Sequence, residues 1–294
     1  MTNKIALIGA GVMGQAIGTR LLQTGNALCV FDRNQHKMDS LAAQGATTAD
    51  NPAEAAETVD FIILSLNSAD AVEQVVFGKH GVASAAQAGT MIIDMSSIDP
   101  VSTQALAKRA AAANLRWLDC PLSGGAPKAL LSTLAVMVGG NEPDFEASKV
   151  VMNYLCANYT LMGPNGAGQT TKLINQVLCA LNFVATAEAT QLALDAGVDA
   201  AKIPAALKGG RADSAILQEF MGKMAAKDYT PAGRLDNMVK DLNGVQDLAR
   251  STHTAMPLTA VCAEIHRLLM SAGLGGADNA ALMKFYEGPS QDLK

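Results

Sequence analysis

The stretch KIALIGAGVMGQAIGTRLLQTGNALCVFDRN, residues 4–34, decides the fold of the first half of the chain. A short apolar run, residues 4–8, ends at Gly9, and apolar residues then recur at helical spacing from Val12. The run ALCVF, residues 27–31, is again apolar and follows a glycine that closes the helical pattern. This order predicts a buried strand, a tight turn, a helix and a second buried strand.

The turn has the pattern G-x-G-x-x-G, and Asp32 follows 18 residues after its last glycine. Gly9 permits a tight turn, Gly11 lets backbone approach a pyrophosphate, and Gly14 lets helix and strand pack closely. The helix N-terminus attracts phosphate, and an acid at position 32 accepts a hydrogen bond from a ribose 2′-hydroxyl. We therefore predict a Rossmann-type dinucleotide site whose turn residues are Gly9, Gly11, Val12, Met13 and Gly14.

The choice of cofactor depends on two neighbouring residues. The carboxylate of Asp32 would repel a 2′-phosphate, which favours NAD over NADP. Arg33 comes next and could bind that phosphate, so NADP stays possible.

Two further strand-like runs, FIILSL (61–66) and MIIDMSS (91–97), alternate with predicted helices at 36–45, 52–57, 69–76 and 100–113. Such alternation predicts a parallel sheet covered on both faces. Ligands bind beyond the carboxyl ends of parallel strands, which makes Leu66, Asn67, Ser96 and Ser97 candidate cofactor-side residues. The alternative for Ser97 is a structural role with Asp99 at the start of the next helix.

The runs RWLDCPLSGG (116–125) and TLAVMVGG (133–140) predict two more strands around a loop. Ser123, Gly124 and Gly125 could present several backbone N–H groups to a carboxylate or phosphate, or could form an ordinary turn.

Few strand signals follow residue 140, and helical patterns fit 168–196, 200–208, 213–226, 235–253 and 257–272. We predict an α/β Rossmann-type domain over residues 1–163 and an all-α domain, built on one long helix, over residues 164–294. The most apolar part of that helix carries Asn182, Glu188 and Gln191, which favours a buried helix over a membrane span.

The segment GPNGAGQTTKLINQ, residues 163–176, joins the two predicted domains. It is not a P-loop, because Gln169 stands where the lysine is required. Lys172, Asn175 and Gln176 share one helix face at i, i+3 and i+4. They form either a ligand site at the domain join or a solvent-directed surface.

Composition excludes several classes of function. The net charge is −5 and no basic patch stands out, so we expect no nucleic-acid partner. The five cysteines form no CxxC pair, which is typical of a cytoplasmic protein. The four histidines are scattered, so we expect no metal site. We also expect no membrane partner.

Four motifs, in order, resemble those of the β-hydroxyacid dehydrogenases over nearly the whole chain. They are IGAGVMGQAI, DCPLSGGAPKALLSTLAVMVGG, GAGQTTKLINQ and VKDL. The stretches SGGAPKA, KLINQVLCALN and GLGGADNAAL are most similar to members that act on tartronate semialdehyde.

The resemblance implies roles for individual residues. Lys172 would be the catalytic residue, and Asn175 or Gln176 would orient the substrate. The substrate carboxylate would be held by Ser123, Gly124 and Gly125. The cofactor would be contacted by Leu66, Asn67, Ser97 and Lys240. The chain departs from the family at Asn67, Leu122, Ser132 and Gln176, where proline, valine, glycine and asparagine are usual.

The implied activity is NAD(P)-dependent interconversion of a small β-hydroxyacid and its semialdehyde or keto form. The expected reaction converts tartronate semialdehyde to glycerate, with 3-hydroxyisobutyrate and L-threonate as alternative substrates. A non-catalytic dinucleotide-binding scaffold is a further alternative. The long helix of the family commonly mediates assembly, so we expect a homodimer or homotetramer.

Overall fold

The computed structural model describes residues 3–286. Its internal contacts divide the chain into two compact units, Met1–Lys172 and Leu173–Lys294.

The first unit contains a nine-stranded sheet. Its strands are β1 (Lys4–Ile8), β2 (Ala27–Phe31), β3 (Thr47–Thr48), β4 (Phe61–Leu64), β5 (Met91–Asp94), β6 (Arg116–Asp119), β7 (Leu122–Ser123), β8 (Leu134–Gly139) and β9 (Cys156–Gly163). Six strands run parallel in the order β3-β2-β1-β4-β5-β6. Beyond them β8 pairs antiparallel with β6 and β7, and β9 lies parallel to β8.

Helices cover both faces of this sheet, as the apolar runs predict. In β1, Ile5 and Leu7 enter one core cluster, whereas Ala6 and Ile8 enter the other. Strands buried on both faces need a nearly continuous apolar sequence, which explains the runs seen in β1, β4 and β5. The helices are α1 (Val12–Gln23), α2 (Asp39–Ala42), α3 (Pro52–Ala56), α4 (Ala69–Phe77), α5 (Pro100–Ala112), α6 (Gly125–Leu130) and α7 (Glu142–Met152).

The strand β9 differs from the sequence prediction, which found few strand signals after residue 140. Tyr159 and Leu161 pack on the core, whereas Thr160 and Met162 are exposed. A strand with one solvated face has only alternate apolar residues, so its signal is weaker than that of a fully buried strand.

In the described part of the second unit the regular elements are helices, and one isolated antiparallel bridge joins Arg234 and Asp278. Helix α8 (Ala167–Asp195) begins in the first unit and continues into the second without a break. It is followed by α9 (Ile203–Leu207), α10 (Ala215–Ala225), α11 (Leu235–Thr252), α12 (Pro257–Leu269) and α13 (Met283–Tyr286). The fold class predicted from the sequence, a Rossmann-type domain followed by an all-α domain built on a long helix, is confirmed.

Helix α8 is less buried than expected. Its length and apolar character would suffice to cross a membrane, and about 33% of its most apolar window is buried in the chain. Length and composition are weak evidence, because core helices pass the same test. Its exposed apolar side chains are Ile174, Leu178, Leu192 and Leu194. The helix is thus apolar on more than one side, which its sequence alone does not separate from full burial.

Two buried carboxyl groups lie side by side at the ends of β5 and β6. Asp94 and Asp119 are register partners, and both side chains are fully buried. Asp119 accepts hydrogen bonds from the backbone N–H groups of Gly166 and Gln169, at 2.9 and 3.1 Å. Asp94 accepts one from the Ser96 N–H at 3.0 Å, and among residues 3–286 its Oδ2 meets no hydrogen-bond donor. Burial, with a smaller contribution from Asp119, raises the pKa of Asp94 to about 7.

The raised pKa of Asp94 makes the first unit lose stability as pH rises. The folded state binds this proton more tightly than the unfolded chain, whose carboxyl has a pKa near 3.8. The contribution is complete below pH ~4 and is lost as pH rises through about 7, with a slope of at most about 1.4 kcal/mol per pH unit. We expect Asp94→Asn to remove this dependence, so that its stability relative to wild type increases between pH 4.5 and 7.5.

The free energy of unfolding at each pH would be measured by urea denaturation, with the fluorescence of Trp117 as the signal. Trp117 is the single tryptophan, lies buried on β6 and therefore reports the first unit. Asp60→Asn, at an exposed position before β4, is the matched control and should parallel wild type. Equal pH slopes for wild type and Asp94→Asn would contradict the prediction.

Candidate active site

The turn after β1 has the geometry that its three glycines predict. Gly9 adopts φ +101°, and its N–H donates to the Phe31 carbonyl at 2.8 Å. A Cβ on Gly14 would lie 1.9 Å from the carbonyl oxygen of Gly9, so only glycine allows this approach of helix and strand. A Cβ on Gly11 would meet no atom within 4 Å, which leaves the backbone open on that side.

A cleft of about 370 Å³ opens beside this turn. It lies where the strand order reverses between β1 and β4, the position at which doubly wound sheets bind ligands. Of the predicted cofactor residues, the cleft is lined by Gly9, Gly11, Asp32, Arg33, Leu66 and Asn67. Val12 and Met13 begin α1, and the side chain of Val12 is exposed.

The carboxylate of Asp32 is fixed by backbone on both oxygens. Its Oδ2 accepts from the Ala10 N–H at 2.8 Å, and its Oδ1 accepts from the Asn34 N–H at 2.9 Å. Each oxygen keeps acceptor capacity, so the group can still bind a ribose hydroxyl. Arg33 and Lys37 line the same cleft and bring positive charge to this end. The carboxylate that favours NAD and the arginine that could bind a 2′-phosphate therefore line the same cleft.

The start of α1 fits a bound pyrophosphate. Its N-cap residue, Gly11, provides no side-chain cap, and no acidic residue lies in the first turn. The first N–H groups of an α-helix lack internal partners and carry partial positive charge. A phosphate in the cleft would satisfy them, so the residues present fit a dinucleotide.

The loops after β4 and β5 are joined beside the cleft. The backbone N–H of Leu66 donates to Oγ of Ser96 at 3.0 Å. Asp99, and not Ser97, caps α5, because its carboxylate accepts from the Ser102 N–H at 2.7 Å. Asp99 therefore occupies the N-cap position of α5.

The Ser-Gly-Gly segment forms a bend rather than a long flexible loop. Ser123 ends β7, Gly124 and Gly125 have φ +125° and +69°, and α6 begins at once. Ser132, where the family usually has glycine, has φ +58°. Its hydroxyl accepts from Arg20 and donates to the Tyr154 carbonyl, at 2.6 and 2.5 Å, which compensates for that conformation.

In the second unit, Asn175 and Gln176 belong to a hydrogen-bond chain. Nδ2 of Asn175 donates to Oε1 of Gln176 at 2.8 Å, and Nε2 of Gln176 donates to Asp241 at 2.6 Å. Lys240 pairs with the other carboxylate oxygen of Asp241 at 3.6 Å. Lys172 stands one turn before Asn175 on the same helix.

Asp241 is a residue whose role the sequence did not reveal. Beside Lys240 it resembled one half of a solvated ion pair, yet its side chain is only 14% exposed. The available signal was the motif VKDL, in which the acid directly follows the lysine. Within residues 3–286 no group of three histidine, cysteine or acidic side chains could hold a metal ion.

Gly11 offers a direct test of the dinucleotide cleft. Gly11→Ala has room in the fold and an allowed backbone, with φ −68°. Its methyl group would project toward the phosphate position, so we expect the Kd of NADH to rise at least ~10-fold, about 1.4 kcal/mol, with little change in Tm.

Fluorescence titration with NADH and a thermal melt would measure the two effects. Gly222→Ala, in open space on α10, is the control and should leave NADH affinity unchanged. Wild-type affinity in folded Gly11→Ala would show that phosphate does not approach at this turn.

Comparison with known proteins agrees with this geometry. Residues 4–163 match the NAD-binding domain of 6-phosphogluconate dehydrogenase. Residues 166–286 match a family model described as the NAD-binding domain of NADP-dependent 3-hydroxyisobutyrate dehydrogenase.

Similar proteins cover almost the full chain. The 2-hydroxy-3-oxopropionate reductase of Escherichia coli strain K12 is 35% identical over 97% of both chains. The L-threonate dehydrogenase of Cupriavidus necator is 31% identical over 98% of this chain and 97% of that one. The 3-hydroxyisobutyrate dehydrogenase of Mycobacterium tuberculosis, solved with L-serine, has a TM-score of 0.88 at 26% identity, covering 98% and 100%. This chain therefore belongs to the β-hydroxyacid dehydrogenase family and is an NAD(P)-dependent oxidoreductase.

Proposed function

We propose that this enzyme reduces tartronate semialdehyde to glycerate, with NADH as the preferred electron donor. The substrate is 2-hydroxy-3-oxopropionate, a three-carbon acid with an aldehyde beside its hydroxyl-bearing carbon. The 35% identity to the Escherichia coli reductase of that name supports this choice. The fixed carboxylate of Asp32 supports NADH, because it would repel a 2′-phosphate.

The arrangement along α8 carries the proposal. One ammonium and two amides, from Lys172, Asn175 and Gln176, follow one another at i, i+3 and i+4. The amides of Asn175 and Gln176 are oriented by their bonds to each other and to Asp241. A carbonyl, a hydroxyl and a carboxylate are the groups that such donors and acceptors recognise.

Lys172 is assigned as the general acid–base. When bound, the dinucleotide supplies or accepts a hydride at C4 of its nicotinamide ring. In reduction, the Nζ ammonium of Lys172 gives a proton to the aldehyde oxygen as the hydride reaches the carbonyl carbon. In oxidation, the neutral amine takes the proton from the alcohol hydroxyl. In each direction one proton moves between Lys172 and the substrate oxygen while one hydride moves to or from the substrate carbon.

Other residues are assigned to binding. Backbone N–H groups of Ser123, Gly124 and Gly125 hold the substrate carboxylate, because successive N–H groups in a turn can form a concave site for an anion. Asn175 or Gln176 orients the substrate. The dinucleotide is bound by Gly9, Gly11, Val12, Met13, Gly14, Asp32, Arg33, Leu66 and Asn67, with Ser97 and Lys240 at its nicotinamide end.

We also propose the larger organisation of the protein. The domains divide as 1–163 and 164–294, and the enzyme is a cytoplasmic homodimer or homotetramer without nucleic-acid or membrane partners. The exposed apolar side chains of α8, among them Leu178 and Leu192, support assembly because such surfaces are usually covered.

A four-carbon sugar acid is the second candidate substrate. The Cupriavidus necator relative, at 31% identity, is named for L-threonate. A third candidate is 3-hydroxyisobutyrate, the compound for which the Mycobacterium tuberculosis enzyme is named. All three are small hydroxy acids or the aldehyde form of one, so hydride transfer between a hydroxyl-bearing carbon and a carbonyl carbon would serve each of them.

A substrate panel distinguishes these candidates. The loss of NADH or NADPH absorbance would be measured with tartronate semialdehyde and methylmalonate semialdehyde, and NAD reduction with L-threonate. We expect kcat/KM for tartronate semialdehyde to exceed that for methylmalonate semialdehyde at least ~10-fold, since the latter lacks the hydroxyl. Faster turnover of L-threonate, or of methylmalonate semialdehyde, would replace the proposed substrate.

Lys172→Ala tests the assigned acid–base. Removing the proton donor should lower kcat at least ~10²-fold, while the Kd of NADH changes little because binding uses the cleft beside β1. Lys202→Ala, at a lysine that is 84% exposed, is the matched control. A wild-type kcat in Lys172→Ala would show that Lys172 is not the general acid–base, even if the proposed substrate is correct.

A further inference from the structure

Gln169, the residue that excludes a P-loop, is fully engaged in the structure. It is the third residue of α8 and only 1% exposed. Its Nε2 donates to the Ser96 carbonyl at 2.8 Å, and its Oε1 accepts from the Ile98 N–H at 3.3 Å. Its backbone N–H donates to Asp119 at 3.1 Å. Both ends of the amide thus bind the loop that follows β5.

The two amide bonds enclose one residue. The Ser96 carbonyl belongs to the peptide before Ser97, and the Ile98 N–H belongs to the peptide after it. Gln169 therefore holds both peptide units of Ser97, with a donor on one side and an acceptor on the other. A side chain that bears only a donor or only an acceptor could not make both bonds.

The start of α8 is itself anchored to the sheet. Asp119 accepts the N–H groups of Gly166 and Gln169, and Nδ2 of Asn165 donates to the Trp117 carbonyl at 3.0 Å. A Cβ on Gly168 would lie 2.6 Å from the Met137 carbonyl oxygen, so backbone packs directly on backbone here. The helix start therefore has little freedom to move against β6 and β8.

The same connection reaches the dinucleotide cleft. Ser96, held through its carbonyl by Gln169, accepts the Leu66 N–H with its hydroxyl. Leu66 lines the cleft. A continuous set of hydrogen bonds thus runs from the cleft wall, through the loop after β5, to the helix turn that precedes Lys172.

We propose that Gln169 is a positioning residue for hydride transfer, because its amide fixes the backbone of Ser97 relative to the turn of α8 that carries Lys172. This rests on the proposed roles of Ser97 at the nicotinamide and Lys172 at the substrate. Gln169 touches neither reactant, and it sets the distance between the groups that do. Small displacements matter in such a site because reacting atoms must stay within a narrow range of distance and angle.

The first test uses Gln169→Leu, which keeps the size of the side chain and removes both bonds. We expect kcat to fall ~10- to 100-fold, as for misplaced reactants. NADH affinity should weaken relative to that of ADP-ribose, which lacks the nicotinamide. A purely structural role would lower Tm and weaken both ligands alike. Gln191→Leu, the same substitution at a half-buried position of α8 far along the helix, should change neither the ratio of the two affinities nor kcat.

The second test uses Gln169→Glu and its pH profile. A protonated carboxyl can donate to the Ser96 carbonyl and accept from the Ile98 N–H, whereas an ionised one can only accept. Two carboxyl groups lie close to Gln169: Asp119 accepts its backbone N–H, and Asp94 is the register partner of Asp119. Lys172 follows Gln169 about one helical turn later. We expect the kcat of Gln169→Glu, divided by that of wild type, to rise several-fold as pH falls from 8 to 6.

The outcomes separate this inference from the proposed function. An unchanged ratio of NADH to ADP-ribose affinity in folded Gln169→Leu, as judged by Trp117 fluorescence, overturns the inference whether or not the substrate is correct. If Gln169→Leu does not fold, a flat relative pH profile of Gln169→Glu overturns it. Failure of wild type to turn over any aldehyde acid would instead reject the substrate, while the affinity ratio still decides the role of Gln169.

Discussion

The structure depends on how the carboxylate of Asp119 joins the end of β6 to the start of α8. One buried side chain receives two backbone N–H groups of the segment that begins the helix, those of Gly166 and Gln169. These groups would otherwise lack partners, as at every helix N-terminus, and burying them unpaired would cost free energy. Asp119 makes these hydrogen bonds at the carboxyl end of β6. The helix therefore starts at the edge of the sheet from which the loops around the dinucleotide cleft also emerge.

The cleft follows from the reversal of strand order between β1 and β4. Chains leaving these two strands diverge to opposite faces of the sheet, so a space opens between them without any special residue. The sequence then adapts that space to a pyrophosphate by leaving the first turn of α1 uncapped and free of acids. In the proposed site Asp32 would bind the ribose, and the backbone N–H groups of Ala10 and Asn34 already hold its carboxylate in place.

Local sequence patterns were sufficient for the fold class, although not for every strand. The strand–turn–helix–strand of residues 4–34 was predicted because its strands are continuous apolar runs, its helix is periodic and each glycine of the turn has a steric reason. The strand β9 was missed because half of its residues face solvent. The bond between Gln176 and Asp241 joins residues 65 positions apart, and the amide of Gln169 reaches a loop 73 positions earlier. No local pattern contains such pairings, so sequence could nominate side chains of the site but not their partners.

The unbroken helix α8 constrains which changes of chain length the protein can accept during evolution. Each residue of an α-helix advances the chain by about 1.5 Å and turns it by about 100°. A one-residue deletion between Gln169 and Lys172 would therefore turn the lysine away by more than a quarter of a circle, while the helix start stays bound to the sheet. Substitutions in this segment can be graded in their effect, but insertions and deletions cannot. Surface connections such as the one between α9 and α10 carry no such phase relation and can vary in length.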